Sequence, residues 1–516
     1  MGRLSQAPHP LLFELFYRPR FERDQREVLP YLLRIDAAHV VMLAQQQILP
    51  RATAARLLAV NRELCRGLQA DEPVLPAPSS HRGLFWLYEQ QYIARLGEEI
   101  GGAAHVARSR NDINAAVNRL RVRDETLALL AAGCGLLEAL AAGARAHLTT
   151  LMSSFTHLQP AQPSTLGHYL AGVLGEALRS AEWLLRAIDV VDRSPMGAAA
   201  GAGTSLPIRP ETVARLLGFR DVIENSADAV ASRDYLAQVL SGAAMLGATL
   251  TRLAGDLQTW GSAAYGFVDW PDELVSTSSI MPQKRNAFVL EVVRGKAVQA
   301  AGALVNTLVG FKNVPFANAI EVSSEASAQA SPALQATGEA LRLMTLLIAE
   351  LEVRPERMRA FLAGAQTTMT AVADHLVARH GLSFRTAHDL VGSMLSRLAA
   401  ETEAAIAPAR LKRELESAMA ARGLPAVELD LAELAGVLDA ESVMRAAAHG
   451  GGPAPSTVGA QLRVFAARVH ELRAGLAARH RRLGEAQDEL SRAVREICDG
   501  EGEGDGLPLA SGVDGK

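Results

Sequence analysis

Alternation of apolar and polar residues, the pattern of a half-buried strand, is hard to find over four or more positions in this chain. Long runs rich in Ala, Leu, Arg and Glu dominate instead, and these residues favour helix. The runs predict helices over 36–54, 85–96, 113–153, 164–192, 228–265, 287–310 and 324–350. We therefore predict an all-α protein whose long helices and short connections form a bundle.

Clusters of Pro, Gly and Ser separate these runs and predict loops at 71–83, 156–163, 194–207 and 276–287. Shorter helices with polar joins begin near residue 367. The predicted organisation is an N-terminal helical domain (1–112), a central long-helix domain (113–366), a C-terminal helical domain (367–497) and a Gly-rich disordered tail (498–516).

Two apolar patterns allow more than one interpretation. The run from 127 to 144 is long enough for a membrane helix, but Glu138 lies at its centre and three glycines interrupt it, so we favour a helix buried in the bundle. Near the C-terminus, apolar residues recur every seven positions: Leu462, Val469, Leu476, Leu483, Leu490 and Ile497. This seam predicts packing against a helix of the same chain or of a neighbouring one.

Composition and charge narrow the function classes. The chain has 516 residues, 49% hydrophobic and 21% charged, with a formal net charge of −4. That balance indicates a soluble globular protein with no nucleic acid or membrane partner. The three cysteines are too few and too scattered for a disulfide framework or a zinc site. The N-terminus does not resemble a secretory signal, and we expect a cytoplasmic protein.

The loop at 276–287, STSSIMPQKRNA, carries the clearest chemistry and is called the signature loop below. It places the hydroxyls of Ser278 and Ser279 close to the ammonium of Lys284 and the amide of Asn286. A base candidate six residues from a cation suits removal of a proton from a carbon beside a carboxylate, since fixed positive charge stabilises the negative charge that develops.

Two further segments differ from ordinary helix surface. In ARSRND (107–112, the carboxylate loop), Ser109, Arg110 and Asn111 lie at a predicted helix start, where free N–H groups favour anions. The alternative is that Asn111 or Asp112 simply caps the next helix.

The other segment, FTHLQPAQP (155–163), sets Thr156, His157 and Gln159 between prolines that fix the backbone. A lone histidine is more often packed or solvated than catalytic. His168, eleven residues on, is predicted to be structural.

These segments closely resemble the motifs of the argininosuccinate lyase family in the fumarase/aspartase superfamily. The signature loop resembles G-S-S-x-M-P-x-K-x-N with Thr277 at the leading Gly, and residues 108–112 match R-S-R-N-D completely. The loop at 194–207, the stretch ENSADAVASRDY at 224–235 and FRTAHDLVG at 384–392 resemble further family segments. The resemblance spans about residues 36–395 in order.

The resemblance implies anti elimination of an amine from an N-substituted aspartate, which releases fumarate. It implies Ser278 as the base, stabilised by Lys284. It also implies His157, paired with Glu291, as the acid or as a positioning group. The alternative for Glu291 is an ordinary glutamate on a helix surface. Implied substrate contacts are Ser109, Arg110, Asn111, Thr156, Gln159, Ser279, Met281, Asn286 and Arg233. No metal or organic cofactor is implied.

The family fold is a three-domain all-α homotetramer with a central twenty-helix core, and each active site gathers residues from three subunits. A non-catalytic protein of the lens-crystallin type and a lactone-closing cyclase share this superfamily. The intact Ser278, His157, Lys284 and Asn286 argue against the first, and the PQK form of the signature loop argues against the second.

The chain departs from the family at the contacts to the arginine half of the substrate. Phe21 and Gln25 stand where the family has Ser and Asp, and residues 82–85 replace an E-D-V-H segment. In PFANAIEVSSE (315–325), Asn318 and Ser323 replace a Tyr and a Gln. A guanidinium is held best by paired carboxylates and planar partners. We therefore expect a leaving amine other than arginine, with a genuine argininosuccinate lyase as the alternative.

Overall fold

The structure is a computed structural model that describes residues 8–70, 74–76, 84–398 and 406–499. The predicted loop at 71–83 lies mostly outside these ranges, and so does the predicted tail apart from Cys498 and Asp499. Within them the all-α prediction is confirmed, since helices make up almost all of the regular structure.

The N-terminal part contains short and medium helices that lead into the first long one: α1 Pro10–Leu12, α2 Arg18–Glu27, α3 Leu29–Gln45, α4 Arg51–Gln69, α5 Leu84–Leu96, α6 Glu98–Gly101 and α7 Arg110–Ala146. The central part continues with α8 Leu166–Val191, α9 Pro210–Leu216, α10 Ser226–Ala231, α11 Asp234–Gly261, α12 Phe288–Ala297, α13 Gln299–Phe311 and α14 Ala330–Ala349. The C-terminal part has α15 Pro355–Gly364, α16 Met369–His380, α17 Phe384–Leu398, α18 Pro408–Ala421, α19 Leu431–Leu438, α20 Ala440–Ala446 and α21 Pro455–Cys498.

The strands are short and occur only as pairs within the described ranges. They are β1 Leu151–Thr156 with β2 Gln159–Thr165, β3 Arg193–Ser194 with β4 Asp221–Val222, β5 Val268–Asp269 with β8 Glu352–Val353, and β6 Ser276–Thr277 with β7 Arg285–Asn286. The β3–β4 pair is parallel and the other three are antiparallel.

Several predicted helix boundaries were wrong, each for a local reason. The helix predicted at 36–54 is interrupted between α3 and α4, where Gln47 has a φ of 57° and Pro50 precedes the new helix. The helix predicted at 113–153 ends at Ala146 because β1 follows. The predicted ranges 228–265 and 287–310 are each two helices, and 324–350 begins in a π turn before α14.

The apolar residues form one large core in the long-helix bundle and a second core in the N-terminal part, with a smaller third core from α16 to α19. Helix α7 crosses the boundary predicted at residue 112 and contributes to both large cores. Helix α21 also packs in these two cores rather than with α16 to α19. Its seven-residue seam therefore lies against α3, α4, α7, α8 and α9 of the same chain.

In the described part, α7 is the one helix long and apolar enough to cross a membrane. It is the core helix of the bundle. Arg123 lies on it almost completely buried, and its guanidinium pairs with Asp192 of the loop after α8 and donates to the carbonyl of Leu217. A buried, paired arginine fits a protein interior better than lipid.

Candidate active site

The signature loop is a hairpin closed by β6 and β7, in which Ser276 faces Asn286 and Thr277 faces Arg285. At its start the Ser278 hydroxyl accepts hydrogen bonds from the backbone N–H groups of Ile280 (3.3 Å) and Met281 (3.2 Å). Two convergent N–H donors favour negative charge on that oxygen. The local turn therefore supplies part of what a serine needs to act as a base.

The cation of this loop is free to meet a ligand. The side chain of Lys284 is exposed, and its ammonium has no hydrogen-bond or ion-pair partner among the described residues. Its neighbour Arg285 is tethered instead, since it pairs with Asp272 and donates to the carbonyl of Trp270 at 2.7 Å. Ser279 and Met281 are exposed, and Asn286 is half-buried at the strand end.

The carboxylate loop runs into the N-terminus of α7, whose cap is Ser109, so the alternative that Asn111 or Asp112 caps this helix is wrong. The Ser109 hydroxyl accepts the N–H of Asn111 at 3.3 Å, and Asp112 accepts the N–H of Ser109 at 2.9 Å. This capping box fixes the first turn. Arg110 is exposed there, without a partner in the part of the chain that the structure describes.

Asp112 joins two loops. Its carboxylate also accepts the N–H groups of Gly197 (3.3 Å) and Ala199 (2.9 Å), which belong to the loop between β3 and α9. The side chain is fully buried, and burial raises its pKa to about 6 although these N–H groups oppose the rise. The carboxylate loop and the loop at 194–207 are therefore held together by one buried acid.

The segment at 156–163, predicted as a loop, is mostly strand. Thr156 and Gln159 are cross-strand partners, and His157 and Leu158 form the two-residue turn between β1 and β2, called the hairpin tip below. Both turn residues have positive φ (53° and 61°), which is uncommon outside Gly, Asn and Asp. Strain of this kind concentrates at functional sites. Phe155 anchors the hairpin on Trp260, Tyr265 and Phe361.

His157 and its predicted partner do not meet within the chain. His157 is exposed at the hairpin tip. Glu291, on the first turn of α12, accepts a hydrogen bond from Gln258 of α11 at 3.0 Å. By contrast, His168 bonds to Ser164 and to the carbonyl of Gly451, which agrees with its predicted structural role.

Arg233 presents an unused donor pair. It lies just before α11, is 3% exposed, and donates through Nη1 to the carbonyls of Val230 (3.2 Å) and Ser232 (2.7 Å). Its Nε and Nη2 are buried and have no partner. These two nitrogens form one side of the guanidinium fork, the arrangement that binds a carboxylate with two parallel hydrogen bonds.

The segment at 315–325 lies along the first turns of α7. The side-chain amide of Asn318 donates to the side-chain oxygen Oδ1 of Asn111 at 2.9 Å, and the side-chain amide of Asn118 donates to the backbone carbonyl of Ser323 at 3.4 Å. The side-chain oxygen of Asn318 is buried and unpaired. A residue that departs from the family pattern thus contacts a predicted substrate-binding residue directly.

The other departures are in the protein interior. Phe21 is 1% exposed and belongs to the N-terminal core, as does Leu84. Asp24, also buried, is held by Arg20 (3.2 Å) and Arg23 (3.1 Å) of its own helix. Gln25 is half-buried, while residues 82 and 83 lie outside the described ranges.

The three motif segments are not joined in one chain. In the described ranges, no hydrogen bond or ion pair links a side chain of the carboxylate loop, the hairpin 155–163 and the signature loop to one another. The same ranges contain no group of three or more His, Cys, Asp or Glu side chains placed to hold a metal ion.

Sequence reasoning missed two participants. Asp112 could have been found from the S-x-x-D spacing of a capping box. Gln258 could not, because it reaches Glu291 across 33 residues of sequence and carries no local signal. Asn318 was singled out from the sequence, but its contact with Asn111, 207 residues away, was not predictable.

Comparison with known proteins adds the family context. A family model described as "Lyase" matches residues 50–302, and one described as "Argininosuccinate lyase C-terminal" matches residues 366–445. Argininosuccinate lyase 1 of Shouchella clausii is 35% identical over 397 residues, which cover 77% of this chain and 79% of the relative. The argininosuccinate lyase of Natronomonas pharaonis is 37% identical over 463 residues, covering 90% of each chain.

Comparison with solved structures agrees with the comparison of sequences. EDDS lyase in complex with formate superposes with a TM-score of 0.84 at 28% identity, covering 96% of this chain and 97% of the other. The 3-carboxy-cis,cis-muconate lactonizing enzyme from Pseudomonas putida has a TM-score of 0.68 at 23% identity, with 89% and 100% covered, and shares the fold. The relatives and the structural neighbours together establish the fold and a lyase as the class of enzyme.

Proposed function

Because this chain belongs to the argininosuccinate lyase family of the fumarase/aspartase superfamily and is a carbon–nitrogen lyase, we propose that it releases fumarate from an N-substituted aspartate whose leaving amine is not arginine. The observation that carries this proposal is the contact between Asn318 and Asn111. This contact places the divergent segment 315–325 beside the predicted carboxylate-binding residues, where the segment can select the leaving amine.

Ser278 removes the proton from the carbon beside the substrate carboxylate. Its oxygen already accepts two backbone N–H groups, and the free ammonium of Lys284 adds positive charge from the same loop. The electron pair of the broken C–H bond moves onto the carboxylate as an enediolate. Fixed donors aimed at that charge lower the barrier, each by about 10²–10³ in rate.

Two parts of the chain bind the carboxylates in this proposal. The N-terminus of α7 offers Ser109, Arg110 and Asn111 with the positive end of a 37-residue helix. The unused Nε and Nη2 of Arg233 offer a second, buried carboxylate site. The remaining predicted contacts are Thr156 and Gln159, which flank the hairpin tip, and Ser279, Met281 and Asn286 on the signature loop.

His157 protonates the departing nitrogen while the C–N bond breaks, so that fumarate and a neutral amine leave. The strained, exposed turn at its position supports a role outside its own chain's interior. Glu291 pairs with His157 of another copy after exchanging its bond to Gln258.

The assembly is a homotetramer with shared sites. Two observations support this: the three motif segments are unjoined in one chain, and α12 and α13 carry an exposed apolar face. That face is formed by Val292, Val298, Val305, Leu308 and Val309, which are 37–65% exposed. An uncovered apolar stripe of this length on two successive helices indicates a protein interface.

The amine is not a guanidinium because its natural partners are missing or occupied. The carboxylate of Asp24 is already ion-paired with Arg20 and Arg23, and Phe21 is part of the hydrophobic core. At 318, an amide with one free buried oxygen can accept an N–H from a compact amine. The structural neighbour named EDDS lyase supports this direction, since its name gives a substrate other than argininosuccinate.

The reverse addition tests the proposal. Fumarate at high concentration is incubated with the enzyme and a panel of primary amines and diamines, and adducts are identified by mass spectrometry. We expect at least one N-substituted aspartate to form with the wild type and none with Ser278→Ala. Absence of any adduct and of any fumarate release at 240 nm would favour a non-catalytic protein.

Genuine argininosuccinate lyase is the second candidate, favoured by the names of the relatives at 34–37% identity. It requires Asn318 and the neighbouring Glu321 or Glu325 to bind the guanidinium. Both glutamates are exposed, which makes the candidate specific enough to test by Glu321→Gln and Glu325→Gln with argininosuccinate.

A further inference from the structure

The carboxylate loop contains a backbone conformation that needs support. Ala107 has a φ of 61°, in the left-handed region that residues with a Cβ rarely adopt, and it precedes Ser109, Arg110 and Asn111 by only two to four residues. If Ala107 relaxed to a negative φ, the chain direction at the start of α7 would change.

Both neighbours of Ala107 are held by one helix. The carbonyl of Val106 accepts a hydrogen bond from Nε2 of His39 at 2.8 Å, and the guanidinium of Arg108 pairs with the carboxylate of Asp36. Asp36 and His39 are three residues apart on α3, so their side chains share one face of that helix. The two contacts fall on either side of the strained residue.

The two anchors are rigid because they are buried and have partners of their own. Asp36 is 2% exposed and His39 is 1% exposed. The hydroxyl of Tyr88 donates to the free oxygen of Asp36 and lies 2.7 Å from the hydroxyl of Tyr92. Asn61 of α4 donates to Tyr92 at 3.2 Å, so α3, α4 and α5 all support the pair.

We propose that Asp36 and His39 form a clamp that holds Ala107 in its left-handed conformation and thereby positions Ser109, Arg110 and Asn111 for the substrate carboxylate. They are positioning residues, since neither is exposed to a ligand. The kinetic consequences of the clamp rest on the proposed function, whereas its effect on the loop does not.

The charge state of His39 fits this role. Burial, aided by the neighbouring Arg108 cation, lowers the pKa of His39 to about 3, so the imidazole is neutral near neutral pH. The groups that face it are Arg108, His105 and the carbonyl of Val106. A neutral ring with its proton on Nε2 donates to that carbonyl without adding a second buried cation beside Arg108.

Hydrogen exchange tests the clamp without any substrate. The variant His39→Ala removes one anchor, and His147→Ala is a matched control that removes a half-buried histidine with its own side-chain hydrogen bond, to Thr150, at the other end of α7. We expect amides in a peptide spanning 103–115 to exchange at least about 10-fold faster in His39→Ala and unchanged in the control. Equal exchange in both variants overturns the proposal, whatever the protein's reaction is.

A double-mutant cycle tests the link to strain. Glycine adopts a positive φ without cost, so Ala107→Gly should change the wild-type kcat/KM for fumarate release by less than about 3-fold. We expect His39→Ala to lower kcat/KM about 10- to 100-fold, mainly through KM, and the loss to shrink at least about 5-fold when His39→Ala is combined with Ala107→Gly. An equal loss with and without Ala107→Gly, or an unchanged KM, contradicts the clamp.

The variants Tyr88→Phe and Asp36→Asn extend the test. Tyr88→Phe keeps the ion pair and should have a smaller effect on KM than Asp36→Asn, which leaves Arg108 buried with no carboxylate. If Asp36→Asn does not fold, the His39 and Tyr88 variants still test whether the clamp positions the carboxylate loop. If neither the wild type nor any variant releases fumarate, but His39→Ala still exchanges faster than His147→Ala in the 103–115 peptide, the proposed function is disproved and the clamp stands.

Discussion

The carboxylate loop and the signature loop are built in opposite ways. The carboxylate loop is held by buried side chains from α3 and by Asp112, which ties it to the backbone of the loop at 194–207. The signature loop has one short strand pair and a serine turn, and Ile280 at its centre is 84% exposed. The carboxylate loop is therefore held within one chain, whereas in the function proposed above the exposed signature loop is completed by substrate and by neighbouring copies.

The largest expected effect is at the signature loop. Ser278→Ala should lower kcat by about 10³ or more, because no other oxygen in that turn receives the two N–H donors. The matched control is Ser276→Ala, which pairs in β6 through its backbone only and should retain near-wild-type rates. Rates are measured by fumarate absorbance and folding by circular dichroism. An active Ser278→Ala enzyme would remove Ser278 as the base.

The hairpin tip should give the next largest effect. His157→Asn is expected to lower kcat about 10²–10³-fold, because a positioned acid contributes about that much. Mixing Ser278→Ala with His157→Asn after dissociation and reassociation should restore part of the activity, since a shared site can then combine intact residues from different chains. Lack of any recovery in verified mixed tetramers contradicts shared sites.

A smaller and pH-dependent effect is expected on the carboxylate loop. Asp112→Asn replaces one of the two acceptor oxygens with an NH₂ donor, which must face either the N–H groups of Gly197 and Ala199 or those of Ser109 and Ile113, and should lower kcat/KM about 10²-fold. In the wild type, kcat/KM should fall as pH decreases through about 6, where Asp112 takes up a proton.

The stability contribution of Asp112 has the opposite sign. Its folded-state pKa is raised above the unfolded value of 3.8, so the contribution is fully present below about pH 4 and is lost as pH rises through about 6. The melting temperature of the wild type, relative to Asp112→Asn, should therefore be higher at pH 4.5 than at pH 7.5. A constant difference would show that Asp112 does not titrate in this range.

The smallest effect separates Arg233 from an ordinary structural arginine. Arg233→Lys keeps a charge but loses the fork, and should raise the Kd for fumarate about 10-fold. Arg193→Lys is the control, since Arg193 is half-buried and already pairs with Glu224 and the carbonyl of Val222. Equal Kd values, measured calorimetrically, would mean that the free side of Arg233 does not bind a carboxylate.

The sequence predicts the helices because their apolar runs are long, and it predicts the site segments because their polar residues are adjacent. It fails at the hairpin 151–165, where Pro160 and Pro163 argue against a strand and the tip has no glycine. The Phe155 aromatic cluster, which holds that hairpin, forms only in the folded bundle. The contact between Asn318 and Asn111 and the clamp around Ala107 are likewise set by tertiary packing.

We propose that this lyase keeps the carboxylate half of the substrate site and has a changed amine half. The most direct measurement is kcat/KM for fumarate release from argininosuccinate, set beside that of the best adduct found by reverse addition. We expect kcat/KM for argininosuccinate to be at least about 10²-fold below that for the adduct, a difference of about 2.7 kcal/mol in transition-state binding. An argininosuccinate value within the ordinary enzyme range of about 10⁴–10⁸ M⁻¹s⁻¹, with no better adduct, would contradict it.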